Sequence, residues 1–316
     1  MTHVRRRLPA LVVPLLFVAA ASCASTSPGD ASSGTGGTFP VTVHAADGAV
    51  RIPHRPHAIV SLSPTATEML YAIGAGDQVK AVDKSSDYPK GTPVTSLDGN
   101  SPNVEAVAGY HPDLVVASQD TGGLSSQLKA IGIPILIVPA AADLEQAYAQ
   151  FGQLGAATGH AARARAEVSD IRGRIAAIVA STPKHATPLS YYYELDQTYY
   201  SETSSTFIGQ LLGLLGLKSI ADAASGAAAS GGYPQLNAEF IVKADPDYIF
   251  LADTLCCGQD ATTVAARPGW GTMSAVTNGR VLGLNDDVAS RWGPRVVDLL
   301  QEVANELRAH PVRSAA

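Results

Sequence analysis

The first strand-to-helix corner, "HAIVSLSPTATEML" at residues 57–70, contains no glycine. A nucleotide site needs close backbone approach to phosphate, through glycines or a Gly-Lys-Ser/Thr loop, so this corner does not hold one. No G-x-S-x-G elbow, H-E-x-x-H pair or Walker motif occurs elsewhere, which removes the corresponding hydrolase, metalloprotease and NTPase chemistries. Ser63, His111 and Asp113 are the residue types of a catalytic triad, but His111 falls in a helix-to-strand turn, where a solvated imidazole is the ordinary role. Basic residues are scarce too: 22 lysines and arginines stand against 28 aspartates and glutamates. Without a basic excess the chain is a poor partner for nucleic acid. Cysteine occurs three times, and the adjacent pair Cys256 and Cys257 has no histidine nearby to complete a zinc site.

What is present at the N-terminus is an export signal. Arg5, Arg6 and Arg7 precede an apolar run from Leu11 to Ala21 and then Ser22 and Cys23, the basic, apolar and small-residue order of a secretory leader. The run is too short for a stable membrane span. A cysteine after "AAS" resembles the lipobox of bacterial lipoproteins, so residues 1–22 are expected to be removed and Cys23 lipidated, with ordinary signal-peptidase cleavage as the alternative. Losing residues 1–22 removes three arginines and no acids, taking the formal charge from −6 to about −9. A Ser/Gly/Thr tether follows over 23–38. About 275 residues remain, enough for two lobes with their own cores.

From residue 39 onward the pattern alternates strand and helix. "VTVHAADGAVRI" is a hairpin with Asp47-Gly48 at its turn; "AIVSL", "VKAVD", "DLVVAS" and "PILIVP" are short apolar strands separated by helical stretches. That is the pattern of a parallel sheet with both faces covered. Val168, Ile171, Ile175 and Ile178 recur at helical spacing within a long helix near residues 160–181, after which a second alternation runs from "LSYYYEL" to "PRVVDLLQEVANELRA". The two halves echo each other. "NVEAVAGYHPDLVVAS" from Asn103 and "NAEFIVKADPDYIFLA" from Asn237 align without gaps, matching Asn103 with Asn237, Glu105 with Glu239, Pro112 with Pro246 and Asp113 with Asp247. Thr65 and Glu68 read as a capping box that starts the first helix and leaves the corner hydroxyls, Ser63 included, exposed on a cleft wall.

"AIVSLSPTATEMLYAIGAGDQVKAVDKSSDYP", "NVEAVAGYHPDLVVAS" and "RPGWGTMSAVTNGRVLGLNDDVASRWGPRVVDLL" resemble the motifs of the iron-siderophore, haem and cobalamin binding proteins that feed ABC importers. The resemblance spans residues 41–308. It implies an α/β fold of the class III periplasmic-binding-protein kind: two lobes with central, mainly parallel sheets, 39–158 and 183–316, joined by a single long linker helix at 159–182. Such a protein is an extracytoplasmic, membrane-anchored, monomeric lipoprotein and not an enzyme. It would hold a large metal chelate between its lobes and deliver it to a permease dimer driven by a cytoplasmic ATPase, with no cofactor or resident metal of its own.

Carried over residue by residue, the resemblance assigns Ser63, Tyr88, Tyr199, Tyr200, Tyr233, Arg291 and Trp292 to the ligand. Glu105 and Glu239 become the two docking carboxylates for permease arginines. The fixed donor fork of Arg291 suits an anionic chelate, so a ferric siderophore ranks first, cobalamin second and haem third. Only two tryptophans are present, which leaves tyrosine to supply aromatic area, while Asp87, Asp120 and Asp253 are unusual company for an anion. A receptor for bare zinc or manganese would need several converging ligands, and His54 and His57 read instead as a polar loop. Cys256 and Cys257 follow the strand "YIFLA" and shape the cleft rim, either bridged or as two free thiols; adjacent Cα atoms lie about 3.8 Å apart, below the usual disulfide span.

Overall fold

The computed structural model describes residues 38–312; the expected leader, the lipidated Cys23 and the tether up to residue 37 lie outside the described residues. A hairpin of β1 (Val41–Ala45) and β2 (Gly48–Ile52) opens the body, and Gly48 takes the positive φ of 126° that its turn requires. The first lobe then runs through β3 (Ile59–Leu62), α1 (Pro64–Ala72), β4 (Val79–Val82), α2 (Val104–Ala108), β5 (Leu114–Ala117), α3 (Leu124–Ala130) and β6 (Ile135–Ile137). Helices α4 (Leu144–Thr158) and α5 (Ala161–Ser181) follow. The second lobe contains β7 (Leu189–Glu194), α6 (Phe207–Gly213), β8 (Leu217–Ser219), α7 (Ala238–Ala244), β9 (Tyr248–Leu251), α8 (Thr254–Cys257), α9 (Ala261–Ala265), α10 (Ser274–Thr277) and β10 (Val281–Gly283). It closes with α11 (Asp286–Ser290) and α12 (Val296–Ala309).

Both sheets are parallel, with orders β4-β3-β5-β6 and β10-β9-β7-β8. Counted within its own lobe, each sheet places its strands second, first, third, fourth. β3, β5, β6 and β9 are buried at every position, because helices cover both faces of a parallel sheet and leave no polar side.

The sequence echo is a structural one. Asn103 and Asn237 cap α2 and α7 by accepting from the backbone N–H of Ala106 and Phe240 at 2.9 and 2.8 Å. His111 and Asp245, 134 positions apart like the aligned residues, both leave their helices with positive φ, 49° and 44°. Asp113 accepts from the backbone of His57 and Ala58, and Asp247 from the N–H and Oγ of Ser190. Each aspartate thus anchors the segment entering the first strand of its lobe.

Helix α5 has 21 residues and buries Ala164, Ile171, Ile175 and Ile178, close to the expected stripe, with Val168 only half-buried. Its length of about 30 Å is the span of a small domain. Helix α4 is an addition to the elements expected from the sequence. It lies against α5 so tightly that a Cβ on Gly155 would stand 2.5 Å from the Ala164 Cβ. Helix α12 packs on the same linker helix through a strongly amphipathic face that includes Leu299, Leu300, Val303 and Leu307.

Candidate functional site

Ser63, rather than Thr65, caps α1: its Oγ accepts from the Ala66 N–H at 3.3 Å, and Pro64 fills the first helical position. The hydroxyls expected on the surface are buried. Thr67 donates to Ser61 at 2.8 Å and lies 3.0 Å from the Ser86 hydroxyl, and Ser63 and Thr65 are closed off as well. The expected capping box is corrected accordingly, because Glu68 points inward and is spoken for by the other lobe.

That carboxylate is the centre of a clasp between the lobes. Glu68, fully buried on α1, accepts from Arg291 Nη1 at 2.8 Å and from Arg295 Nε and Nη2 at 2.9 and 2.5 Å. Arg291 also reaches Asp87 at 3.3 Å, the Ser85 carbonyl at 3.0 Å and the Asp287 carboxylate. With its side chain 8% exposed, Arg291 holds the segment after β10 against the loop after β4. Trp292, half-buried, donates its indole N–H to Gln150 on α4 at 2.9 Å, and Gln210 of α6 donates to the Ala142 carbonyl at 2.8 Å. Through these bonds the segment from Arg291 to Arg295, beyond β10, is joined to α1, to the loop after β4 and to α4, and α6 to the segment after β6, which ties the two lobes together.

Exposed apolar side chains gather at the carboxyl ends of both sheets. Of the eight large ones exposed among the described residues, Tyr88 and Val94 follow β4, Tyr200 follows β7, Tyr233 follows β8 and Leu255 follows β9. The other three, Tyr110, Ile131 and Leu214, sit behind helices at the opposite ends of the sheets. Tyr88 lies over the Arg295 guanidinium, 4.3 Å from ring centroid to carbon, and borders a pocket of about 350 Å³ with Glu68, Glu167 and Arg174. That volume is at the small end for a ligand site. Tyr199 is tied down instead: at a φ of 67° it stacks on buried Trp270, with centroids 5.7 Å apart. Tyr191, Tyr192 and Tyr193 are fully buried strand residues.

Of three acidic groups beneath the second lobe's loops, Asp253 is named from the sequence as a cleft acid, while Glu194 and Glu202 are not. Glu202 accepts from the Tyr191 hydroxyl at 2.6 Å and from Thr206, and burial pushes its carboxyl up to about 7. Glu194, at the end of β7, receives both arms of Arg267 at 2.6 Å. Beside it Asp253 is fully buried with neither oxygen hydrogen-bonded. Burial first, then the Glu194 carboxylate, raise Asp253 to about 7. The sulfurs of Cys256 and Cys257 adjoin in α8, just beyond Asp253. Glu105 and Glu239 occupy the second positions of α2 and α7, both solvent-exposed. Among the described residues no three histidine, cysteine or acidic side chains converge as a metal set, and no helix is long and apolar enough to cross a membrane.

Two α/β lobes of the same strand order, joined through the long helix α5 and clasped by Glu68, Arg291 and Arg295, have the architecture of a two-lobed binding protein. A family profile described as periplasmic binding protein matches residues 59–288, and the chain belongs to that family. It is 32% identical to an ABC transporter substrate-binding lipoprotein of Bacillus subtilis over 85% of this chain and 86% of that one. A cobalamin-binding protein of Halobacterium salinarum is 31% identical over 85% of this chain and 74% of its own. Among solved structures, the periplasmic vitamin B12 binding protein of Vibrio cholerae superimposes with a TM-score of 0.67 at 25% identity, covering 83% of this chain and 100% of that one. A possible iron-binding periplasmic protein from Staphylococcus epidermidis gives 0.69 at 26%, covering 80% and 99%.

Proposed function

We propose that the protein is the extracytoplasmic solute-binding component of an ABC importer, that it turns nothing over, and that it captures a large metal chelate, a corrinoid of the cobalamin type in first place. The observation that carries the ligand class is the set of exposed aromatic and apolar side chains on loops at the carboxyl ends of both sheets. Tyr88, Tyr200 and Tyr233 provide flat area with a polar tip, and the stiff linker keeps the site preformed, which lowers the ordering cost of binding. The likeness to cobalamin-binding relatives agrees with this choice.

Charge favours a corrinoid over an anionic ferric chelate. Arg291, the donor fork expected to face an anion, is committed to Glu68, Asp87, Asp287 and Ser85, while the loops around it are acidic. Ser63 and Trp292 then act as supports of the wall, and Tyr199 as the prop of the Tyr200 loop. A ferric siderophore is the second choice, favoured by the likeness to the possible iron-binding protein; haem is the third. We further assign residues 39–158 and 183–316 to the lobes and 159–182 to the linker, Cys23 to a lipid anchor, and Glu105 and Glu239 to a permease dimer. The absorption spectrum of protein purified from its own host tests the ligand class: a corrin spectrum supports it, whereas a Soret band or a ferric charge-transfer band replaces it with haem or a siderophore.

A further inference from the structure

The cleft rim carries one feature outside the tyrosine set. Helix α8 is a single turn, Thr254–Cys257, at the carboxyl end of β9. Leu255 is 66% exposed on it, Cys256 is exposed beside it, and the sulfurs of Cys256 and Cys257 adjoin. An exposed leucine alone is ordinary. Here it is continuous with two sulfurs, on a turn that is held from outside.

The holding is specific. The Asp286 carboxylate accepts from the N–H of Leu255 at 3.0 Å and of Cys256 at 2.8 Å. Thr254 donates its hydroxyl to the Leu284 carbonyl at 2.6 Å and lies 3.0 Å from Asp286 Oδ1. Asp286 begins α11, and its neighbour Asp287 binds Arg291, which crosses to Asp87 and Glu68 in the first lobe. The apolar turn is therefore tied, through α11, to the clasp between the lobes.

We propose that Cys256 and Cys257 form a disulfide which, with Leu255, is an apolar contact plate for the bound chelate, and that reducing it weakens ligand binding. The plate rests on the assignment of the cleft to a large chelate. A disulfide offers polarizable surface with no hydrogen-bond donor, suited to the alkyl-rich edge of a macrocycle. Reduction by an external dithiol breaks the S–S bond: the dithiol gives up two electrons and becomes a cyclic disulfide, and two protons are carried by the new thiols. The plate then becomes two independently rotating S–H groups. Outside the cytoplasm the oxidised form is the resting one.

The test uses the full mature chain. Alkylation under denaturing conditions should label neither Cys256 nor Cys257 before treatment with a phosphine reductant and both afterwards. Titration with cyanocobalamin should show about tenfold weaker binding for the reduced chain and for Leu255→Ala, the scale of one apolar side-chain contact. A Cys256→Ser, Cys257→Ser double variant should bind like the reduced chain and ignore the reductant. Alkylation of both cysteines without reduction overturns the bond, and equal affinity in all four samples overturns the plate. If the oxidised wild type binds hemin or a ferric siderophore but not cyanocobalamin, the corrinoid assignment fails, and the same series run with that ligand decides the plate. An oxidised chain that binds none of the three removes both.

Discussion

Replacing Glu68 by alanine should open the clasp between the lobes. The carboxylate is fully buried and takes three charge-assisted bonds from two guanidiniums whose side chains are 8% and 14% exposed. Truncating one partner of a buried ion pair leaves charge without compensation, which costs about 3–5 kcal/mol. The lower end applies, because Arg291 keeps Asp87 and Asp287. For a body of this size each kcal/mol moves the melting temperature by about 2–4 °C, so calorimetry should record a fall of roughly 6–12 °C. The loss should change little between low and moderate salt, since buried pairs are weakly screened. Replacing Glu68, Arg291 and Arg295 together by apolar residues of similar volume should recover much of it. A Glu68→Ala chain that melts within about 2 °C of wild type would refute the clasp.

Glu202 and Asp253 have carboxyls raised by burial to about 7, above the ordinary carboxylate range, so the folded chain holds protons that the unfolded chain has released. Stability should be highest below about pH 4 as far as these groups govern it, fall as pH rises to 7, and level off above. Glu202→Gln should flatten that slope by up to about 3 kcal/mol, read from denaturant melts across the range; an unchanged slope contradicts the burial. Tyr200→Ala and Tyr233→Ala should each weaken the cleft ligand by about 1–2 kcal/mol in calorimetry, with the fold intact. Tyr199→Ala should act mainly on melting, because its ring stacks on Trp270; an effect on affinity alone would reverse that division. If Glu105 and Glu239 dock on a permease as proposed, changing both to lysine should leave affinity and melting near wild type and abolish uptake by cells, since like charges would then meet across that contact. Normal uptake would leave the echo as architecture.

The fold was legible where burial is one-sided or total. "DLVVAS" and "YIFLA" read as strands because a parallel sheet covered on both faces has no polar alternation to confuse with a helix. The linker helix showed itself through Ile171, Ile175 and Ile178, and the lobe repeat through paired Asn, Glu, Pro and Asp. The loop tyrosines Tyr88, Tyr199, Tyr200 and Tyr233 were named through the family resemblance and not through their local sequence. The clasp did not, since T-x-x-E is also the spelling of a helix cap, and nothing local tells Glu68 that its partners lie more than 220 residues away. For the same reason Arg291 looked free to meet an anion. Glu194, and the burial of Asp253, were hidden because a carboxylate at a strand end is solvated far more often than buried.

Calorimetric titration of the full mature chain with cyanocobalamin, alongside a ferric hydroxamate and hemin, tests the central claim most directly. If Tyr200 and Tyr233 line the cleft as proposed, the chain should bind cyanocobalamin one to one, most tightly of the three, and lose most of that affinity in the Tyr200→Ala, Tyr233→Ala double variant. Tighter binding of the anionic ferric chelate, with the double variant unaffected, would contradict it.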